Sequence, residues 1–309
     1  MPSYPPKVVI LLATRNGAEF LQSQLDSFRA QTHSHWELLV SDDGSTDATI
    51  EIVRRFASSV PQRVVIVPGP QQGFWQNFVA LVRSNEIDGD LFAYSDQDDI
   101  WFPEKLAKAV DWFEMRAAPS PALYFTRTEL MRGDGTPAGF SPRFTRRPTF
   151  RNALVQNIGG GNTMVFNRTA REALLATPTD VELVSHDWWT YQVVTGTGGD
   201  AHYDLWPSLK YRQHGQNIVG ANIGWRARMV RLAAFANGRV VSWNEINLCV
   251  LGRMREALTP ESARVFDLYA LARQASWPMR LWLIWKSGVY RQSVVENIGL
   301  SVGALFGKI

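Results

Sequence analysis

Four times in the first 115 residues a short apolar run gives way to a stretch with helical spacing, and most of those runs end in polar or acidic residues. Val8 to Leu12 reads as a buried strand, and Glu19 to Ala30 sets Leu21, Leu25 and Phe28 on one helical face. Glu37 to Val40 reads as a second strand, ended by Ser-Asp-Asp-Gly-Ser-Thr-Asp, where Asp47 can cap a helix carrying Ile50, Val53 and Phe56. Val64 to Val67 is a third, followed by Gly73 and a helix with Phe74, Phe78, Leu81 and Val82. Leu91 to Tyr94 is a fourth, leading through an acidic turn to a helix with Leu106, Val110 and Phe113. Such a series predicts an α/β fold: a mostly parallel sheet, helices on both faces, and ligands at the carboxyl ends of the strands.

Those ends are where the polar residues gather: Thr14 to Asn16, then Asp42 and Asp43, then Asp96 to Asp99. After Ser120 the alternation fades. Strand candidates at Leu123 to Thr126 and Thr163 to Phe166 are expected to complete the sheet as shorter strands, beside an Arg-rich loop (Arg143, Arg146, Arg147, Arg151). From Asn222 the pattern is helical to the end, which predicts a helical C-terminal appendage beginning near Gly220.

The 309 residues, 45% hydrophobic and 20% charged, are enough for one large domain with an appendage or for two domains. A net charge of +3 is too slight to argue for a nucleic-acid partner. The single cysteine, Cys249, leaves no internal disulfide or Cys-based zinc cluster and fits a reducing cytoplasm. The N-terminal residues lack the charged start and apolar core of a signal peptide, and the apolar run from Leu281 to Trp285 is broken by Arg280 and Lys286. A soluble or peripheral protein is expected.

The stretch Leu-Phe-Ala-Tyr-Ser-Asp-Gln-Asp-Asp-Ile-Trp, Leu91 to Trp101, ends a buried strand in three carboxylates. Three anions this close repel unless a cation, a charged ligand or open water relieves them. Asp96 and Asp98, at alternate positions, suit Mg²⁺ or Mn²⁺ shared with phosphate oxygens. An EF-hand loop is excluded, since its sixth and twelfth positions would be Trp101 and Ala107. The plain alternative is solvated aspartates at a helix N-terminus. Asp42 and Asp43 can accept from a base edge or ribose hydroxyls, or they can serve an ordinary turn. The Gly159-Gly160-Gly161-Asn162 run permits close backbone approach or a simple turn. His186 can be structural or contact an acceptor, and Trp188 and Trp189 can stack on a sugar or fill the core.

Taken together, Thr14-Arg15-Asn16-Gly17, Ser41 to Asp47, Gly73 with Asn77-Phe78, Ser95 to Trp101, Gly161-Asn162-Thr163, His186-Asp187-Trp188-Trp189 and Tyr211 to Asn217 resemble glycosyltransferase family 2. The Asp-Gln-Asp-Asp and Tyr-Arg-Gln-His-Gly runs resemble its bacterial rhamnosyltransferase-like branch. The resemblance implies the GT-A (nucleotide-diphospho-sugar transferase) fold, a Rossmann-like mostly parallel sheet flanked by helices. Residues 1–220 would form the catalytic domain, with 1–120 the nucleotide-sugar half and 121–220 the acceptor half, and 221–309 the helical region. It implies donor-binding roles for Thr14, Asn16, Asp42, Asp43, Asn77 and Asp96, and metal ligation by Asp98 and Asp96, with His214 near the diphosphate as a further ligand. Asp187 would be the general base, and Gly161, Asn162, His186 and Trp188 would face the acceptor.

The activity implied is inverting, metal-dependent transfer of one sugar, L-rhamnose from dTDP-rhamnose, to a glycan or lipid-linked acceptor of a bacterial surface polysaccharide such as O-antigen lipopolysaccharide. The chain lacks the Gln-X-X-Arg-Trp motif of the family's processive synthases. A sugar-1-phosphate nucleotidyltransferase would carry more Gly and basic residues after the first strand than Leu12 to Gly17 has, and a catalytically silent nucleotide- or glycan-binding protein remains the other alternative. From Trp277 onward four Lys or Arg stand against one Glu amid crowded aromatic residues. This composition suits either a helix lying on an anionic membrane at the inner face of the cytoplasmic membrane, or helices packed on the catalytic domain or on a second subunit of a homo-oligomer.

Overall fold

The computed structural model describes residues 5–116, 120–213 and 239–309. The four expected strands form, each slightly longer than the apolar run that announces it: β1 (Val8–Thr14), β2 (Trp36–Asp42), β3 (Val64–Pro68) and β4 (Leu91–Ser95). Helices α1 (Leu21–Arg29), α2 (Thr49–Ala57) and α3 (Phe74–Arg83) connect them, and α4 (Lys105–Glu114) follows the acidic turn. A two-residue strand, β5 (Ile100–Trp101), lies inside that turn region, where sequence periodicity is too short to announce it.

Next come β6 (Ala122–Arg132), β7 (Pro137–Phe140), α5 (Phe150–Ala153), β8 (Val165–Asn167), α6 (Arg168–Leu175), α7 (His186–Gly196) and β9 (Asp200–Gln213). Among the described residues the sheet order is β3-β2-β1-β4-β8-β6-β9-β5, with β7 on β6. β3, β2, β1 and β4 run parallel, β8 pairs antiparallel with both β4 and β6, and β6 runs parallel to β9. The expectation of shorter strands in the second half fails for β6 and β9, which at 11 and 14 residues are longer than β1 to β4. Their pairing is broken by register shifts near Arg127, and the irregularity hides their length from a reading based on alternation.

Successive residues of the central strands enter opposite cores. Val9, Leu11, Phe92 and Tyr94 meet Phe78 and Leu81 of α3 and Trp189 and Tyr191 of α7, while Ile10, Leu12, Leu38 and Ala93 meet Leu25 of α1, Val53 of α2 and Leu106 of α4. Burial on both faces explains why these strands read as continuous apolar runs.

The C-terminal helices are α8 (Arg239–Arg253), α9 (Pro260–Gln274), α10 (Trp277–Ser287) and α11 (Val294–Leu305). Leu251, Phe266, Tyr269 and Leu283 share one core with Phe125, Phe150 and Tyr191. The boundary expected near residue 220 and the metal-ligand candidate His214 lie outside the described residues. Among the described residues no helix is long and apolar enough to cross a membrane.

Candidate active site

β1 lies between β2 and β4, so the chain's course along the sheet reverses there and opens a crevice at the carboxyl ends. Register aligns those ends: Thr14 pairs with Asp42, Asp42 with Pro68, and Leu12 with Ser95. Residues 14–17, 42–47, 69–73 and 95–99 therefore meet at one rim.

The donor-side candidates are already cross-linked. Thr14 is buried and donates to Asp42 at 3.1 Å, while the other Asp42 oxygen accepts from the Ser45 N–H at 2.8 Å. Asp43 is buried and accepts from the Gln71 N–H at 2.6 Å and the Gly73 N–H at 3.4 Å, clamping the loop before α3. Asp47 is not the cap of α2 that the sequence predicts, since the N-cap position falls on Ala48; from one residue earlier it accepts from the N–H groups of Thr49 and Ala18, each at 3.0 Å. That leaves Asp42 and Asp43 less free than their sequence context implies, although a carboxylate has about four acceptor positions and keeps some in reserve. Asn16, at φ 48°, accepts from the Thr46 N–H at 2.8 Å and so ties the first loop to the second.

Asn77 is buried, donates to the Ser41 carbonyl at 3.1 Å, and has no partner for its Oδ1. A Cβ added to Gly69 would lie 2.8 Å from Asp43 Oδ1 and 3.0 Å from Asn77 Oδ1, so only glycine fits this floor. Gly69 went unnoticed in the sequence, where Val-Pro-Gly-Pro reads as a plain turn.

The acidic turn is held from three directions. Gln97 exchanges two hydrogen bonds with the Arg15 backbone, at 2.9 and 3.1 Å. Arg212 on β9, itself buried, donates to the Asp98 carbonyl at 3.2 Å, because β5 pairs with β9 and brings the Tyr-Arg-Gln run alongside. Asp99 is buried and accepts from Asn162 at 2.6 Å. Lys105, also buried, donates to the Asn162 carbonyl and sits 3.6 Å from the centre of the Trp101 ring. Asp99 is thus anchored inside the fold. Lys105 was missed by sequence reasoning; the available signal was a lysine on the same helical face as the buried Leu106, Ala109 and Val110.

Burial, then Asp98, then Asp187, push the Asp96 carboxyl up to about 7, with Lys105 opposing. Burial and the fields of Asp98 and Asp96 likewise hold Asp99 well above the usual carboxylate range. A cation would relieve this excess of negative charge, and oxygen donors at a strand end are the donor set that Mg²⁺ and Mn²⁺ accept. Among the described residues no three His, Cys, Asp or Glu side chains form a metal cage. Asp96 and Asp98 fit a cation that takes its remaining ligands from elsewhere.

Asp187, in the first turn of α7, lies near enough for its charge to act on Asp96. One of its oxygens accepts from Ser185 Oγ and from the Trp188 N–H at 2.7 Å, the other from the Gly161 N–H at 3.2 Å. The Gly161–Asn162 pair therefore joins Asp187 to Asp99.

His186 and Trp188, expected to face an acceptor, are instead buried. His186 stacks on Phe78 with ring centres 3.8 Å apart, lies edge-on to Tyr94, and has no hydrogen-bond partner on either nitrogen. Burial pushes its pKa down to about 4. A Cβ on Gly161 would come within 2.2 Å of His186 Nε2, so the glycine is required by packing. Trp188 donates from its indole to the Ala153 carbonyl at 2.6 Å. Both follow from α7 being buried nearly all round, which its polar first residues conceal.

A parallel half joined through antiparallel strands to a second half, with carboxylates at the shared rim, is the GT-A fold of nucleotide-sugar-dependent glycosyltransferases. Residues 9–175 match the model of glycosyl transferase family 2, and the chain belongs to that family; it is a glycosyltransferase. It is similar to the dTDP-rhamnosyl transferase RfbG of Shigella flexneri, 28% identical over 238 residues covering 73% of this chain and 79% of that protein. It is also similar to the putative teichuronic acid biosynthesis glycosyltransferase TuaG of Bacillus subtilis, 28% identical over 54% of this chain and 65% of the relative. Among solved structures, the mannosyltransferase PcManGT of Pyrobaculum calidifontis, in complex with GDP-Man and Mn²⁺, superposes with TM-score 0.52 at 21% identity, covering 99% of this chain and 87% of that one. TarS 1–349 of S. aureus, with UDP-GlcNAc, gives 0.54 at 13% identity, covering 97% and 90%.

Proposed function

We propose that the protein transfers a single sugar, L-rhamnose from dTDP-rhamnose, with inversion, to a hydroxyl of a glycan or lipid-linked acceptor in bacterial surface polysaccharide synthesis. The observation that carries the reading is the joint at Gly161–Asn162, where one residue hydrogen-bonds Asp187 and the next hydrogen-bonds Asp99. Donor-side and acceptor-side carboxylates are thereby fixed to one short segment. The likeness to RfbG over 73% of the chain supports the choice of donor. The name of TuaG, a putative teichuronic acid biosynthesis glycosyltransferase, supports a role in surface polysaccharide synthesis.

In this reading Asp42, Asp43, Thr14, Asn16 and Asn77 shape the nucleoside site, and Asp96 and Asp98 hold Mg²⁺ or Mn²⁺. Such a cation, when bound, supplies positive charge against the departing diphosphate. The acceptor oxygen attacks the anomeric carbon, the bond from that carbon to the diphosphate oxygen breaks, and the acceptor proton passes to Asp187. Ser185, Trp188 and Gly161 fix the orientation of the Asp187 carboxylate, as a general base requires. His186 and Trp188 act from behind, holding α7 in place.

Thermal-shift titration with dTDP-rhamnose and Mn²⁺ or Mg²⁺, paired with a nucleoside-diphosphate release assay, tests the assignment. Asp98→Asn is expected to abolish metal-dependent donor binding. Asp187→Asn is expected to leave donor binding nearly intact while turnover falls by about 10²-fold or more. Near-normal turnover of Asp187→Asn would remove it as the base.

A further inference from the structure

The C-terminal helices turn apolar rows away from the core. On α10 the side chains of Trp277, Trp282 and Trp285 are exposed, Trp285 to 76%; on α11 and just beyond it Val295, Ile298 and Phe306 are exposed, the first and last to 77% and 74%. The two helices are locked together by Arg280, whose guanidinium donates to the carbonyls of Ala272, Ala275 and Ala304. Soluble surfaces rarely gather so many large apolar side chains without an occupant.

Charge selects the occupant. From Trp277 to Ile309 the sequence holds one acid, Glu296, which is engaged by Ser293 and Gln156 and lies 3.7 Å from Arg291. The charged side chains exposed along this stretch are therefore Lys286 and Lys308. The Lys286 ammonium lies 5.1 Å from the centre of the Trp282 ring, so positive charge and indole sit side by side on α10. An anionic lipid surface complements them, and tryptophans beside lysines are the chemistry of the bilayer interface.

We propose that the exposed face of α10 and α11 docks on an anionic lipid bilayer, with the tryptophan and aliphatic rows in the headgroup boundary and Lys286 and Lys308 on phosphates. The connection between α10 and α11 is tied to the segment around α5: Asn152 donates to the Tyr290 carbonyl at 2.9 Å, and the Gln292 N–H donates to Gln156 at 2.8 Å. Gln156 lies just ahead of the Gly159 to Gly161 run that holds Asp187. Docking would thus present the acceptor side of the crevice to molecules anchored in the bilayer. That last link rests on the transferase reading; the docking itself stands on the surface alone.

Cosedimentation of the full chain with vesicles of phosphatidylcholine, with and without phosphatidylglycerol, tests it. The chain is expected to pellet with the anionic vesicles. Trp285→Ser with Val295→Ser is expected to lower partitioning about tenfold or more, and Lys286→Gln with Lys308→Gln about fivefold per lysine on anionic vesicles alone. Melting curves report whether each variant is folded, and the lysine pair keeps the test decisive if the apolar pair weakens the fold. The proposal is overturned if the chain stays in the supernatant with anionic vesicles, if the lysine pair changes nothing, or if Trp285→Ser with Val295→Ser disperses a dimer in sedimentation equilibrium while vesicle binding is absent. A loss of donor binding would instead refute the transferase reading and leave vesicle binding unchanged.

Discussion

Replacing Asp96 by Asn should make the metal-free protein more stable. Folding raises the pKa of this carboxyl from 3.8 to about 7, through burial and the neighbouring Asp98 and Asp187. The folded state therefore holds the proton more tightly than the unfolded chain. Its stabilising contribution is fully present below pH 3.8 and is lost as pH rises through about 7, where the carboxylate must be charged. At about 1.4 kcal/mol per pH unit the cost at pH 8 reaches at most roughly 4 kcal/mol. An asparagine amide avoids the charge but is itself incompletely partnered, which leaves a net gain of about 1–3 kcal/mol. That corresponds to a rise in Tm of about 2–10 °C for a chain of this size. The measurement is thermal unfolding of both proteins in chelator at pH 8 and pH 5, repeated at pH 8 with Mn²⁺. The advantage of the variant should shrink by more than half at pH 5, where the wild-type carboxyl is mostly protonated. Mn²⁺ should stabilise the wild type alone. An Asp96→Asn protein that melts no higher than wild type at pH 8 without metal, or whose advantage is the same at both pH values, refutes the electrostatic argument.

Two further outcomes follow from the same neighbourhood. Lys105→Met removes the buried Lys105 amine and its hydrogen bond to the Asn162 carbonyl and should cost about 1–3 kcal/mol in urea unfolding; adding Asp99→Asn should recover a part, and full additivity of the two losses would exclude their coupling. His186 is held uncharged by burial, its pKa about 4 against 6.5 in the unfolded chain, so its contribution is present above pH 6.5 and is lost as pH falls toward 4, to a total of roughly 3 kcal/mol. His186→Leu should flatten that acid limb relative to wild type, and an unchanged slope between pH 6.5 and 4 would show that the imidazole is not buried as described.

The parts of the fold legible in the sequence are those set by local periodicity. β1 to β4 appear where unbroken apolar runs stand, because both sheet faces are covered and each residue, odd or even, meets a core. β6 and β9 were under-read because their bulged register interrupts the alternation on which recognition depends. The acidic turn declared itself for a different reason: charges that repel are anomalous at the end of a buried strand, whatever lies around them.

Chain order and side-chain type were enough to gather Asp42, Asp43, Asp96 and Asp98 at one rim, since parallel strands put their carboxyl ends together. What the tertiary structure alone decided is how those groups are held. Asn162 reaches Asp99 across 63 residues, Gly161 reaches Asp187 across 26, and Gln97 grips Arg15 across 82. His186 and Trp188 are packing residues because α7 is buried nearly all round. Local spacing determines which residues share a strand or a helical face, and so it fixed the sheet and its acidic rim. Burial and long-range hydrogen bonds depend on which faces meet, and only the folded chain makes Lys105 a buried partner of Asp99 and joins Asp187 to the turn that opened the site.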